Sequence, residues 1–157
     1  MKFGDFVCFE AIIPHLSATD RDGVINELIN AVEKAGQLPG TDGKKLSKAV
    51  IKRENEASTG MGKGIAVPHV KHPDIKSVVA AIGKSDNGID FAALDRQPVF
   101  NIILLLSPAE DPDRHLYAME YIFKHLQKEK FLKFLGQAQT RQAIEDLLQE
   151  GDDDPDF

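Results

Sequence analysis

The chain has 157 residues, enough for one sizeable hydrophobic core, and its 42% hydrophobic and 28% charged residues are ordinary for a folded globular protein. Its formal charge is −6 and four acidic residues lie in the last seven positions, so the chain has no basic surplus for binding nucleic acid. No apolar run approaches the roughly 20 residues that span a bilayer, and the N-terminus lacks a signal-peptide layout. The single cysteine, Cys8, excludes a disulfide within the chain. We therefore expect a cytoplasmic protein with no nucleic-acid partner and no membrane insertion.

Two helices are predicted in the first third of the chain. The first begins near Thr19 or Asp20, with Thr19 as a good N-cap, and ends at Gly36. Apolar residues recur along it at helical spacing, namely Val24, Ile25, Leu28, Ile29 and Val32. The second helix is predicted from about residue 42 to residue 54, with its apolar residues along one side.

The rest of the chain predicts two strands followed by three helices. The strands cover residues 77–83 and 99–107, with a turn at Asp86-Asn-Gly88 between them, and the helices cover about 113–127, 130–138 and 140–149. Helices before and after buried strands favour an α/β sandwich. We expect one domain over residues 1–150. The acidic residues 151–157 are expected to form a disordered tail, since repelling aspartates have little surface to bury.

Between the second helix and the first strand lies a glycine-rich segment of different character. Gly60, Gly62 and Gly64 occupy alternate positions, where backbone N–H groups can approach an anion closely. The segment does not match a Walker loop or a dinucleotide fingerprint, because the required spacing and the following helix are missing. Taken alone, the pattern favours a bulged strand entry or a β-turn over an anion site.

A histidine follows this segment at a position suited to chemistry. His69 comes after Pro68, which restricts the backbone and delivers the imidazole at a stiff strand end. A neutral imidazole whose tautomer is fixed has a free lone pair that can attack phosphorus. One alternative is a partly buried hydrogen-bonding histidine. The other is a metal site formed with His72 and a possible third ligand in His115, although no carboxylate or cysteine completes an obvious set.

Several ordered motifs together resemble one known family. They are Arg53-Glu54, Ser58-Thr59-Gly60, Gly62-Lys-Gly-Ile-Ala-Val-Pro-His69, Gly88-Ile-Asp-Phe-Ala-Ala-Leu-Asp-Arg-Gln-Pro98, the run Ile102–Leu106, Ser107-Pro108 and Asp113-Arg-His-Leu116. The pattern is similar to that of the type-2 enzyme IIA domains of the bacterial phosphoenolpyruvate-dependent sugar phosphotransferase system, in the fructose, mannitol and nitrogen-regulatory branch. The resemblance extends from about residue 6 to residue 148.

The resemblance implies an α/β/α sandwich with a mixed central sheet and a phosphocarrier function. It implies that His69 accepts a phosphoryl group from the phosphohistidine of HPr, with His115 as a second active-site histidine and Arg53 stabilising the phosphoryl charge. Further hydrogen bonds to the phosphoryl group are expected from Ser58, Thr59, Gly60, Gly62 and Gly64. No metal and no cofactor are expected, because the donor is already an activated phosphohistidine.

Two pathways fit this resemblance. A regulatory phosphocarrier of the nitrogen branch would bind target proteins according to its phosphorylation state, and a transport component would pass phosphate to a IIB protein for uptake of a fructose- or mannitol-like sugar. Cys8 lies in no phosphate-binding loop, and the segments around Arg53 and Ile89–Leu94 look more like the stand-alone regulatory members, so we favour regulation. One departure is Val70, where the family often has glycine after the active histidine.

Overall fold

The computed structural model describes residues 1–154 and 156–157 and contains a six-stranded mixed sheet. The strands are β1 (Val7–Ile13), β2 (Gly60–Gly62), β3 (Ile65–Ala66), β4 (His69–His72), β5 (Val79–Ile89) and β6 (Val99–Pro108). Their order is β1-β5-β6-β3-β2, and β4 also pairs with β6. The β1–β5, β3–β6 and β4–β6 pairs are parallel, whereas β5–β6 and β2–β3 are antiparallel. Strands β3 and β4 therefore follow one another along the same side of β6.

Within the described residues, six helices cover the two faces of this sheet. They are α1 (Phe3–Phe6), α2 (Arg21–Lys34), α3 (Gly43–Glu56), α4 (Pro112–Leu126), α5 (Glu129–Gln137) and α6 (Arg141–Asp153). Alternate residues of the central strands face opposite ways, because successive side chains of a strand point to opposite faces. Ile103 and Leu105 pack with α1, α4, α5 and α6, while Leu104 and Leu106 pack with α2 and α3. The expected α/β/α sandwich with a mixed sheet is confirmed.

Three helices begin within a residue of the start that the sequence predicts, each with a side-chain cap. The Asp20 carboxylate accepts the Gly23 N–H at 2.7 Å, the Asp42 carboxylate accepts the Lys44 N–H at 3.0 Å, and the Thr140 hydroxyl accepts the Ala143 N–H at 3.1 Å. Each bond satisfies a backbone donor that has no partner within its own helix. The prediction of Thr19 as the N-cap of the first helix is wrong by one residue, because the structure has Asp20 there.

The predicted turn at Asp86-Asn-Gly88 is wrong, because β5 continues through it to Ile89. The register between β5 and β6 shifts between Lys84 and Ile89, so these residues form an irregular part of the strand and the chain reverses later, over residues 90–98. The sequence also gave no prediction of α1 and β1. Strand β1 pairs in parallel with β5, which is far away in the sequence. Parallel strands are not joined by a tight turn, so no local sequence signal indicates this pairing.

The structure differs from the expected disorder of residues 151–157. Helix α6 runs through Asp153, and the Asp152 carboxylate accepts the backbone N–H groups of Phe3 and Gly4 at 2.8 and 2.9 Å. Phe157 is 4% exposed and its ring stacks on that of Phe134, with the ring centroids 6.2 Å apart. The described residues of this segment therefore contact the rest of the protein, where they cap α1 and add an aromatic ring to the core. Pro155, also within the expected tail, lies outside the described residues.

Candidate functional site

His69 begins strand β4, beside Leu105 of β6. Its Nδ1 atom lies 2.8 Å from the carbonyl oxygen of Val67. A carbonyl oxygen only accepts hydrogen bonds, so the neutral ring carries its proton on Nδ1 and leaves the lone pair of Nε2 free. The half-buried imidazole is thus held in one tautomer by the chain two residues before it.

His115 lies near the start of α4 and faces His69. The centroids of the two rings are 5.6 Å apart. The Nδ1 atom of His115 lies 2.6 Å from the hydroxyl oxygen of Ser107, a fully buried residue near the end of β6. The end of a central strand and the beginning of a helix therefore bring two histidines together that are far apart in sequence.

Both histidines of this pair favour the neutral form. Burial lowers the pKa of His69 below its ordinary value, and the nearby positive charges of Arg53 and Lys71 add to that effect, against the Val67 hydrogen bond and the Glu54 charge. Burial, followed by the proximity of His69 and Lys71, lowers the pKa of His115 to about 4. His115 is therefore uncharged at neutral pH. In this state the His115 ring can offer an N–H donor but not a full charge.

The last turn of α3 supplies a cation and a buried carboxylate. Arg53 donates from its guanidinium to the carbonyl oxygen of Ala57 at 3.0 Å, which holds its side chain toward the segment that follows the helix. Glu54 is 2% exposed, and its carboxylate accepts both the backbone N–H of Thr59, at 2.6 Å, and the Thr59 hydroxyl, at 2.8 Å. This pair of bonds fixes the start of the glycine-rich segment to α3.

The two hydroxyl groups expected to bind phosphate are both engaged within the protein. The Ser58 hydroxyl donates to the carbonyl oxygen of Phe91 at 2.5 Å and accepts the N–H of Gly60 at 3.0 Å. The Thr59 hydroxyl donates to Glu54. A hydroxyl has one proton to donate, so contact between either proton and a phosphoryl oxygen requires that its present bond be released. Their role in phosphate binding stays a prediction.

The three glycines shape a hairpin next to the site. Gly62 and Gly64 have φ angles of 96° and 74°, which side chains rarely adopt, and the chain turns between β2 and β3 at these positions. Gly60 packs so closely on Ala93 that a Cβ atom at Gly60 would lie 2.7 Å from the Ala93 Cβ. The glycines are thus needed for the backbone path that leads to His69, and their expected contact with a phosphoryl group stays a prediction.

Sequence reasoning passed over Lys71 and Ser107 as members of the site. Lys71 is exposed and lies two residues after His69 in β4, so both side chains leave the same face of the strand. Its charge acts on both histidines. The spacing of two residues in a strand was the signal that could have identified Lys71, whereas the pairing of Ser107 with His115 depends on the fold.

The alternative of a metal site shared by His69 and His72 finds no geometric support. The two residues are three positions apart in a strand and therefore point to opposite faces. The Nδ1 atom of His72 accepts the backbone N–H of Asp74 at 3.1 Å. Among the residues that the structure describes, no group of three histidine, cysteine or acidic side chains is arranged to hold a metal ion.

None of the helices described is both long and apolar enough to cross a membrane.

Comparison with known proteins gives consistent matches over nearly the whole chain. Residues 6–151 match the family described as phosphoenolpyruvate-dependent sugar phosphotransferase system, EIIA 2. The chain is 32% identical to a nitrogen regulatory protein of Bradyrhizobium diazoefficiens over 94% of its own length and 95% of that protein. It is 30% identical over 97% of its length to the fructose-specific EIIABC component of Bacillus subtilis, of which it spans only 24%. The nitrogen regulatory protein IIA-Ntr of Neisseria meningitidis has the same fold, with a TM-score of 0.84, 20% identity and coverage of 93% and 98% of the two chains.

Proposed function

Because the chain belongs to the EIIA 2 family of the phosphoenolpyruvate-dependent sugar phosphotransferase system, we propose that His69 carries a phosphoryl group that it receives from the phosphohistidine of HPr. The observation that carries the proposal is the fixed tautomer of His69, whose Nδ1–H donates to the Val67 carbonyl oxygen at 2.8 Å. The family assigns phosphoryl transfer to the domain, and the geometry around His69 supports this residue as the acceptor.

In the proposed step the lone pair of His69 Nε2 attacks the phosphorus of the donor phosphohistidine in line with the bond that breaks. A new P–N bond forms at Nε2 as the P–N bond of the donor breaks, and the donor imidazole leaves with the electron pair of that bond. The proton on Nδ1 of His69 stays on its ring, held by Val67. No proton has to move between the two proteins, and no metal or cofactor takes part.

Three groups are placed to balance the charge of the transferred group. Arg53 supplies a planar guanidinium with several donors, and Lys71 supplies a compact positive charge on the same strand face as His69. In our proposal the Ser107 hydroxyl donates to Nδ1 of His115, so that the His115 proton lies on Nε2 and can be donated to a phosphoryl oxygen. Hydrogen-bond donors that are already in position lower the free energy of the transition state, in which negative charge develops on the phosphoryl oxygens.

The pathway that we propose is the nitrogen-regulatory one, in which the phosphorylation state of His69 governs binding to target proteins in the cytoplasm. The match to the nitrogen regulatory protein of Bradyrhizobium diazoefficiens, which extends over 94% and 95% of the two chains, favours this assignment. The second candidate is a transport component that passes the phosphoryl group to a IIB protein, favoured by the match to the fructose-specific EIIABC component. Transfer of phosphate from the labelled chain to a purified fructose-type IIB protein would favour transport.

The experiment that tests the acceptor is incubation of the full chain with phosphoenolpyruvate, enzyme I and HPr, followed by intact-mass measurement and peptide mapping. We expect one acid-labile phosphoryl group on His69 and none on the His69→Gln variant. Full labelling of His69→Gln would refute the assignment.

The matched control is His72→Gln, which changes a histidine of the same short strand that faces the other way. We expect this variant to be labelled as fast as the unchanged protein, because glutamine can still accept the N–H of Asp74.

For His115→Ala we expect phosphate on His69 but slow transfer onward to an acceptor, and unchanged transfer would show that His115 is structural.

A further inference from the structure

A continuous series of hydrogen bonds connects the end of helix α3 with the imidazole of His69. The Glu54 carboxylate accepts the backbone N–H of Thr59 at 2.6 Å and its hydroxyl at 2.8 Å. The carbonyl oxygen of Thr59 accepts the N–H of Val67 at 3.4 Å, and the carbonyl oxygen of Val67 accepts the proton on Nδ1 of His69 at 2.8 Å. The Glu54–His69 network consists of Glu54, Thr59, Val67 and His69.

Glu54 is the fixed end of this network. It is 2% exposed in the last turn of α3, and each of its two carboxylate oxygens accepts a different donor of Thr59. Two bonds from one residue to two oxygens restrict the orientation of Thr59 as well as its distance. A bond of 3.4 Å, the length of the one from Val67 to Thr59, is at the long end for an N–H group and a carbonyl oxygen. Its persistence therefore depends on how firmly Thr59 is held.

Val67 is held from its other side by the central strand β6. Its side chain is 1% exposed, and the carbonyl oxygen of the next residue, Pro68, accepts the N–H of Leu105 at 3.0 Å. Pro68 also restricts Val67 to an extended conformation. Because β6 and the proline limit one side of this segment, the bond to Thr59 limits the freedom that remains to the Val67 carbonyl group.

The position of the Val67 carbonyl oxygen bears directly on the chemistry of His69. The hydrogen bond at Nδ1 determines which ring nitrogen is protonated and where the lone pair of Nε2 points. In-line attack requires that this lone pair point at the phosphorus atom, and a misplacement of about 1 Å can lower a rate about 100-fold. A shift of the Val67 carbonyl group would therefore slow the transfer without removing any group that contacts the phosphoryl oxygens.

We propose that Glu54 and Thr59 are positioning residues that hold the His69 imidazole in its reactive orientation through Val67. The inference rests on the proposed function and gives Thr59 a different role from the phosphate contact expected from the sequence. In this role the Thr59 hydroxyl stays bonded to Glu54 while His69 is phosphorylated. The network acts on the rate of transfer and on the tautomer of His69, and it leaves the affinity for the donor unchanged.

The test measures labelling of the full chain by phospho-HPr in two variants that weaken the network. Glu54→Asp keeps the carboxylate but shortens the side chain by one methylene group, so that its oxygens fall short of Thr59. Thr59→Val removes only the hydroxyl and serves as the second variant should Glu54→Asp fail to fold. We expect the maximal rate of labelling to fall about tenfold or more in Glu54→Asp and about threefold in Thr59→Val, with the half-saturating concentration of phospho-HPr unchanged.

Conservative variants separate position from charge. Glutamine at position 54 has the length of glutamate, and it can accept the Thr59 N–H while its amide donates to the Thr59 hydroxyl oxygen. We therefore expect Glu54→Gln, and likewise Thr59→Ser, to retain most of the labelling rate. The matched control is Glu33→Asp, because the Glu33 carboxylate accepts the N–H of Gly43 at 3.0 Å at the opposite end of α3. This control should be labelled as fast as the unchanged protein.

Nitrogen NMR of the protein labelled with 15N-histidine gives a readout that a loss of stability alone does not change. At neutral pH we expect His69 of the unchanged protein to be protonated on Nδ1 and unprotonated on Nε2. Glu54→Asp and Thr59→Val should show a mixture of the two tautomers, whereas Glu33→Asp should match the unchanged protein. Thermal denaturation of each variant establishes that it is folded at the temperature of the measurement.

The outcomes separate this inference from the proposed function. An unchanged labelling rate and a single tautomer in Glu54→Asp and Thr59→Val overturn the positioning role and leave the phosphocarrier assignment standing. A loss of rate in Glu54→Gln as large as in Glu54→Asp assigns the effect to the charge of the carboxylate and also overturns the proposal. Failure of both phospho-HPr and the small donor phosphoramidate to label His69 in the unchanged protein overturns the proposed function and this inference together.

Discussion

The carboxylate of Glu54 accepts two hydrogen bonds from Thr59, one from its backbone N–H at 2.6 Å and one from its hydroxyl at 2.8 Å. Glu54 is buried in the last turn of α3 and Thr59 precedes the hairpin of glycines. The neighbouring Arg53 is one of the two cations whose charge acts on His69. This contact therefore determines how the helix that carries Arg53 is placed relative to the segment that leads to His69.

Replacement of Glu54 by alanine should lower the free energy of unfolding by about 1–3 kcal/mol, because two donors of Thr59 lose their partner in a partly buried place. Urea denaturation of Glu54→Ala measures this loss. Glu56→Ala is the matched control, since Glu56 lies in the same helix but is exposed. Equal stability of the two variants would contradict the structural role of Glu54.

Substitution of glycine should have opposite effects at two positions. A Cβ atom at Gly60 would lie 2.7 Å from the Cβ and 2.8 Å from the Cα of Ala93, so Gly60→Ala should cost about 1–3 kcal/mol of stability. A Cβ at Gly136, inside α5, meets no atom within 4 Å. Gly136→Ala should therefore stabilise the protein by about 0.5–1 kcal/mol through a more restricted unfolded chain. Thermal denaturation of both variants checks the pair, and a stable Gly60→Ala protein would show that the β5–β6 loop can move away.

The helices and the central strand were predictable because their signals are local. Asp42 and Thr140 cap helices at the expected places, and the continuous apolar run of β6 indicates a strand covered on both faces. Strand β1 was missed because its partner β5 is remote in sequence and its pattern of exposure is irregular. The order of the tail was missed because the bonds of Asp152 to Phe3 and Gly4 join the two ends of the chain.

Within the site, residue types were predictable and hydrogen-bond assignments were not. The motif around Pro68 and His69 identifies the histidine. The hydrogen bond to Val67, which shows that the proton of His69 lies on Nδ1, can be recognised only once the course of the backbone is known. Ser58 illustrates the difference, because a hydroxyl beside a glycine segment suggests an anion contact, whereas here it donates to Phe91 in the β5–β6 loop. That contact joins segments that are 33 residues apart. A contact between residues so far apart in the sequence cannot be predicted from a local sequence pattern.

The tail should contribute measurably to stability through Asp152. Its carboxylate accepts the hydroxyl of Tyr121 at 2.5 Å as well as the N–H groups of Phe3 and Gly4. Asp152→Asn replaces one carboxylate oxygen, an acceptor, by an NH2 group, which is a donor and points at these three donors. We therefore expect the free energy of unfolding, measured by urea denaturation, to fall by about 1–3 kcal/mol. The neighbouring exposed residue provides the control Asp153→Asn, which should match the unchanged protein. If both variants matched it, the tail would be detached in solution.

Acid should destabilise the protein in part through His115. Its pKa is about 4 in the folded protein and 6.5 in the unfolded chain. Between these values the unfolded chain binds more protons than the folded protein, so the free energy of unfolding falls as the pH decreases from 6.5 to 4 and changes no further from this cause below 4. The lowered pKa of His69 acts in the same direction.

Replacement of His115 by glutamine removes this contribution and keeps a polar side chain beside Ser107. We therefore expect the loss of stability between pH 7 and pH 4.5 to be smaller in His115→Gln than in the unchanged protein, as measured by urea denaturation at both values. Equal m-values for the two proteins would establish that the same surface unfolds in each. An identical loss in both proteins would mean that His115 titrates alike in the folded and unfolded states, and the neutral form assigned to it beside His69 would then be wrong.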